Sequence, residues 1–138
     1  MNFKNIYLVL ITFLLISCSS KTVSPEFINQ VTGRYLFNPD ETIEVYFEEE
    51  NLFIKWRGAE KITPMNLGDT KYFVKEMNEK IQFLTNPKDQ KQYICLIPKD
   101  KNEEVKFDYR KLNENEEVPS VYLKNKEFDK ALEGYLTI

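Results

Sequence analysis

The sequence predicts a mainly β fold, an antiparallel meander that forms a small barrel or half-barrel, with one or two short C-terminal helices. Two observations lead to this prediction. Between Val31 and Lys111, short apolar runs alternate with turn-forming residues about every ten positions, and no helical period is sustained there. Aromatic residues make up 14% of the chain and glycine occurs only four times, a composition that favours strands over helices.

Three segments alternate apolar and polar residues with the period of two that is typical of half-buried strands. They are 42–48, 52–57 and 105–110. In the second segment this period places Trp56 on the inward face, and in the third it places Phe107 there. Five weaker strands are predicted at 32–37, 61–67, 71–75, 80–85 and 92–97, with Pro64 at an edge or a bulge.

The inward residues are expected to be bulky. Phe73 and Phe83 are predicted to point inward together with Trp56 and Phe107, and such a set favours a filled interior. The alternative is that these four side chains line a cavity for a small apolar ligand. A hollow interior would indicate a carrier, whereas a filled interior would indicate a domain without a ligand cavity.

Three residues are predicted on the opposite, outward face. Tyr46, Phe53 and Arg57 are residue types that are enriched at protein interfaces, so together they form a candidate partner surface. The alternative is that the C-terminal helix covers them.

The C-terminal helix is predicted from Glu127 to Leu136, because five apolar residues recur on one helical face. They are Phe128, Ala131, Leu132, Tyr135 and Leu136. The stretch 122–136 resembles one helical unit of a tetratricopeptide repeat. Since stable stacks need about three repeats, this helix is expected to pack on the sheet or on a partner.

The N-terminus has the features of an export signal. Lys4 is followed by a mainly apolar run of eleven residues from Ile6 to Ile16, which suits a signal peptide and is shorter than the ~20 residues of a membrane span. The run ends in Leu15-Ile16-Ser17-Cys18, which resembles the lipobox of bacterial lipoproteins. An ordinary secreted leader ending near Ser20, or a buried core helix, would be the alternative.

The lipobox resemblance implies cleavage between Ser17 and Cys18 and thioether lipidation of Cys18. Acylation of the new amino group usually follows, and several acyl chains anchor a protein stably where one is marginal. The implied location is the cell envelope. Ser19 and Ser20 after Cys18 are compatible with outer-membrane sorting, and because no acidic run follows Cys18 we expect a site facing the periplasm. The predicted organisation is signal peptide 1–17, lipidated cysteine and tether 18–30, β domain 31–112, and linker with C-terminal helix 113–138.

Residues 31–111 also resemble a known β domain. The matching segments occur in the expected order: Gly33-Arg34-Tyr35, Ile43-Glu44-Val45, Ile62-Thr63-Pro64, Tyr72-Phe73 and Ile81-Gln82-Phe83. This resembles the lipocalin-like domain, in the DUF3471 style, at the C-terminus of serine beta-lactamase-related hydrolases. The chain departs from that pattern at 86–90, where the family usually has a glycine-containing turn. The resemblance implies a non-catalytic accessory fold without an active site.

The composition excludes several kinds of chemistry. The sequence contains no histidine, which excludes Ser-His-Asp and Cys-His catalysis and histidine-ligated metals. Lipidation of Cys18 would leave Cys95 as the last thiol, expected to be buried and inert, so the mature chain cannot form a disulfide. No metal or cofactor is expected.

Carboxylates are the remaining candidates for catalysis. Glu48 to Glu50 and the group Glu114, Glu116 and Glu117 are dense, but they fall in predicted turns where solvation explains them. A calcium site at the second group is the alternative. The net charge of −3 with interspersed lysines gives no reason to expect nucleic-acid binding.

The sequence therefore favours a non-enzymatic envelope lipoprotein with a β domain for protein binding or an accessory role. The alternative is a lipocalin-like carrier of a small apolar ligand. An enzyme ranks third.

Overall fold

The protein is represented by a computed structural model that describes residues 23–136 and residue 138. The predicted signal peptide 1–17, the cleavage site, Cys18 and the first part of the tether lie outside the described residues.

The described chain opens with a short helix, α1 (Pro25–Val31). Ser24 caps it, since its hydroxyl accepts a hydrogen bond from the Phe27 N–H at 3.2 Å, and Pro25 occupies the first helical turn. Assigning all of 18–30 to a tether was therefore wrong for residues 25–30. The Ser-Pro-Glu sequence at 24–26 is the helix start signal that was overlooked.

The first sheet has four antiparallel strands that follow each other in sequence order. They are β1 (Gly33–Asn38), β2 (Glu41–Glu48), β3 (Asn51–Trp56) and β4 (Ala59–Ile62). Because β1 begins directly after α1, its first residues lie at the helix end of the sheet and Asn38 lies about 17 Å away at the other end.

The second sheet has five antiparallel strands, also in sequence order. They are β5 (Met65–Gly68), β6 (Lys71–Val74), β7 (Glu79–Thr85), β8 (Gln92–Leu96) and β9 (Tyr109–Arg110). A bridge between Tyr35 and Lys111 joins the two sheets on one side, and the chain crosses from β4 to β5 on the other. The described strands form no closed barrel, and the mainly β antiparallel fold is confirmed.

Two predicted strands differ from the observed ones. The segment 61–67 is divided between β4 and β5, because Pro64 has no N–H to donate and lies between the two sheets. The segment 105–110 contributes only the two residues of β9. The Asp108 carboxylate accepts a hydrogen bond from the Leu96 N–H at 2.7 Å, so a side chain takes the place of a strand partner there.

The interior is occupied by alternate residues from both sheets. Among the most deeply buried of these are Tyr35, Ile43, Val45, Ile54, Val74, Ile81 and Ile94. At the helix end, Phe27 of α1 packs edge-on against Phe47 and Phe83 with ring centroids 6.4 and 5.9 Å apart. One apolar cluster therefore spans both sheets and α1.

Two helices follow β9, α2 (Pro119–Lys124) and α3 (Phe128–Leu136). The outward side chain of Leu36 meets Leu112 and Val118 in a second, smaller cluster. The Ser120 N–H donates to the Pro39 carbonyl at 3.1 Å, so α2 begins near the end of the sheet opposite α1. The predicted C-terminal helix is confirmed.

Candidate functional site

The four residues predicted to point inward have different environments. Phe83 is buried and its ring lies edge-on to those of Tyr35 and Tyr72, with centroids 6.1 and 5.9 Å apart. Trp56 is half-buried at the end of β3 and packs on the main cluster. These two orientations are as predicted.

The predicted inward orientation is wrong for Phe73 and Phe107. In β6 the register pairs Tyr72 with Ile81, and both are buried, so Phe73 has the opposite parity. Phe107 precedes β9 and is exposed, with its ring edge-on to Tyr93 at 5.3 Å. Neither side chain belongs to the interior.

Aromatic side chains cluster at the end of the interior opposite α1. Trp56 and Tyr109 flank Phe37 with ring centroids 5.5 and 5.3 Å away. The Arg57 guanidinium carbon lies 5.0 Å from the Phe37 ring centre and 4.9 Å from that of Trp56. We call these four residues the aromatic mouth. Trp56 Nε1 is buried there, and none of the described residues accepts a hydrogen bond from it.

The three residues of the predicted partner surface, Tyr46, Phe53 and Arg57, do not lie together on one face. Tyr46 and Phe53 do lie together on the outer face, stacked with their ring centroids 5.6 Å apart. Phe53 is buried because Tyr46 and the Lys61 ammonium, 4.3 Å from its ring centre, cover it. Arg57 lies in the turn between β3 and β4, with a positive φ of 47°, and belongs to the aromatic mouth through its contacts with Phe37 and Trp56.

An apolar ridge runs along α3. Phe128, Leu132 and Leu136 are 63%, 60% and 76% exposed, and their spacing of four residues places them in one row. The helix packs on α2 through its other side, where Ala131 is buried and Gly134 meets Pro119. A Cβ on Gly134 would lie 2.7 Å from Pro119 Cγ, so glycine allows this close packing.

A polar groove of about 560 Å³ separates the outer face of β8 and β9 from α2 and α3. Arg110 is buried in its wall and donates to both carboxylate oxygens of Glu116, at 2.6 and 3.1 Å. Arg34 donates to the Glu116 carbonyl at 2.6 Å and pairs with Glu117 at 3.2 Å. Two arginines, one on each sheet, thus hold the linker that leads to the C-terminal helices.

These contacts shift the ionisation of Glu116. Burial alone raises the pKa of its carboxyl, but hydrogen bonds from Arg110 and from the Asn113 N–H bring the pKa below the ordinary value. The hydrogen bond to Glu116 also raises the pKa of the Arg110 guanidinium. Glu116 was expected to be a solvated turn carboxylate, and this ion pair was missed because its two residues are joined by folding of the linker onto the sheet.

Cys95 and the acidic residues are the other candidates for chemistry. Cys95 is buried, as predicted, and burial raises the pKa of its thiol to about 11. Among the described residues, no group of three or more acidic or cysteine side chains is placed to hold a metal ion. Within 23–136, no helix combines the length and the apolar character that crossing a membrane requires.

Comparisons with protein-family models, with curated proteins and with solved structures found no match to this chain.

Proposed function

We propose that this chain is a non-enzymatic lipoprotein of the cell envelope, anchored through Cys18, whose folded part binds a protein partner through the C-terminal helix α3. The lipobox at Leu15 to Cys18 supports the anchor, and Ser19 and Ser20 after it support an outer-membrane site. The observation that carries the binding role is the exposed apolar ridge of α3.

The ridge is too continuous to be incidental surface. Single exposed apolar side chains are common, whereas contiguous ones mark interaction sites. Covering one such side chain contributes about 1.5–3 kcal/mol relative to leaving it exposed. A partner that covers Phe128, Leu132 and Leu136 therefore gains a substantial part of its binding energy from this row alone.

The charges around the ridge favour a protein over a lipid surface. Helices that lie in a membrane interface are rich in lysine and arginine on their polar face. Here Lys124, Lys126 and Lys130 are balanced by Glu127, Asp129 and Glu133. This balance gives no net attraction to anionic lipid.

Two further observations favour a protein-binding role over an enzyme or a carrier of a small apolar ligand. The only described thiol, Cys95, is buried with a raised pKa, so it remains protonated and a poor nucleophile at neutral pH. A carrier needs a hollow centre, whereas Tyr35, Phe83 and their neighbours occupy the interior. The carrier is therefore not retained as a second candidate.

Photo-cross-linking in the native host tests the binding role. A photoreactive amino acid at Leu136 is expected to give an adduct of one defined mass, and Leu132→Asp should reduce that adduct about fivefold or more because it places a charge in the ridge. Leu132 is exposed, so the variant should keep the thermal stability of the unmodified chain.

The same photoreactive residue at Lys101, an exposed position before β9, serves as the control. Adducts of equal yield at both positions, or an adduct at Leu136 that Leu132→Asp leaves unchanged, would contradict binding through the ridge.

A further inference from the structure

The described chain begins at the end of the domain that α1 closes. Val23 and Ser24 border a cavity of about 410 Å³ whose other walls include Asn66, Gly68 and Thr70. These residues belong to β5 and to the turn between β5 and β6. The chain from Cys18 therefore enters the domain beside β5.

The length of the tether restricts which surface can meet a membrane. Val23 lies five residues after Cys18, so the two are at most about 18 Å apart along an extended chain. A domain of this size has a radius of gyration of about 13 Å, and hence a diameter of roughly 34 Å. Only surfaces near Val23 lie within reach of a bilayer that holds Cys18.

Strand β5 suits a position beside lipid. None of its four residues is charged, and its outward side chains Met65 and Leu67 are 63% and 45% exposed. Among the described strands, β5 pairs with β6 alone. The acidic residues Glu49 and Glu50 lie at the same end, in the turn after Phe47, so apolar contact rather than charge would hold this surface to lipid.

We propose, as an extension of the lipid anchor in the proposed function, that β5 faces the bilayer and that Leu67 and Met65 contact its lipids. The occupant of this surface is thus a lipid membrane.

The lipidated mature chain in phosphatidylcholine vesicles tests this orientation. Leu67→Cys and Leu123→Cys replace leucines that are 45% and 47% exposed, and each variant is labelled with the same fluorophore. Lipids with a nitroxide in the headgroup should quench the label at position 67 about threefold more strongly than the label at position 123. The reason is that the tether keeps only the surface around β5 near the lipid headgroups.

Flotation of the vesicles separates the two possible failures. Protein that floats with the vesicles but shows equal quenching at both positions, or stronger quenching at position 123, overturns the orientation and leaves the anchor intact. Protein purified from host membranes that does not float with the vesicles overturns the anchor and the orientation together.

Discussion

At the scale of single residues, Arg110 and Glu116 link the sheet to the C-terminal helices. Both are largely buried, and their side chains meet at 2.6 Å. A buried ion pair of this kind is weak evidence for net stability, but removing one partner leaves a charge without compensation. Replacing only one member of the pair is therefore expected to lower the stability of the fold more than the net contribution of the intact pair would suggest.

Glu116→Gln is expected to lower the free energy of unfolding by about 1–2 kcal/mol near neutral pH, because Arg110 loses a charged acceptor. The pKa of Glu116 is lowered in the folded state, so its contribution is present above the ordinary glutamate pKa and is lost as pH falls through the folded value. Chemical denaturation at several pH values should therefore show the two proteins converging in acid.

Glu114→Gln is the matched control, since Glu114 is an exposed carboxylate of the same linker. An equal loss of stability in both variants, or a difference between the unmodified chain and Glu116→Gln that persists at low pH, would contradict the assigned role of Glu116.

Local alternation in the sequence correctly predicted two of the four inward side chains. Phe83 and Trp56 follow from their strand patterns. Phe73 could not be assigned because Tyr72-Phe73-Val74 is apolar throughout, so the sequence contains no information on parity. Phe107 was misplaced because Asp108 hydrogen-bonds to the backbone of β8, a long-range contact that local alternation does not reveal.

At the scale of elements, the close packing of α3 on α2 leaves the apolar ridge exposed. Ala131 and Gly134 are small, so α3 lies against Pro119 while the larger side chains point away. The sequence predicted the helix and its apolar stripe, but not which part of the stripe is buried. That choice depends on the size of the residues at the contact rather than on their hydrophobicity.

Gly134→Ala tests this packing because we expect it to destabilise α2 and α3, whereas alanine usually stabilises a helix relative to glycine. Alanine normally favours a helix over glycine by about 1 kcal/mol, but here its Cβ would lie 2.7 Å from the Pro119 ring. We expect amide exchange in α2 and α3 to rise about tenfold, with β2, β3 and β7 unchanged.

Glu133→Ala, at an exposed neighbouring position, is the control for helix propensity and should leave exchange nearly unchanged. Slower exchange in Gly134→Ala would mean that α3 does not pack on α2 in this way.

At the scale of the whole molecule, the meander could be predicted because most strands are separated by short turns and, within each sheet, pair with their neighbours in sequence. The long connection 97–108 between β8 and β9 is the exception. Whether the strands close into a barrel could not be predicted, because closure depends on how the chain bends at Pro64 between β4 and β5. The same fold gives the domain two distinct ends. The chain from Cys18 enters at one, and the aromatic mouth lies at the other.

The intact mass of the protein extracted from host membranes tests the anchor most directly, with Cys18→Ala and Cys95→Ala as matched variants. We expect the unmodified chain and Cys95→Ala to begin at residue 18 and to carry a diacylglyceryl group with an additional acyl chain, and Cys18→Ala to lack that lipid mass. A chain that still begins at Met1, or one that is cleaved but carries an unmodified Cys18, would contradict the lipoprotein assignment.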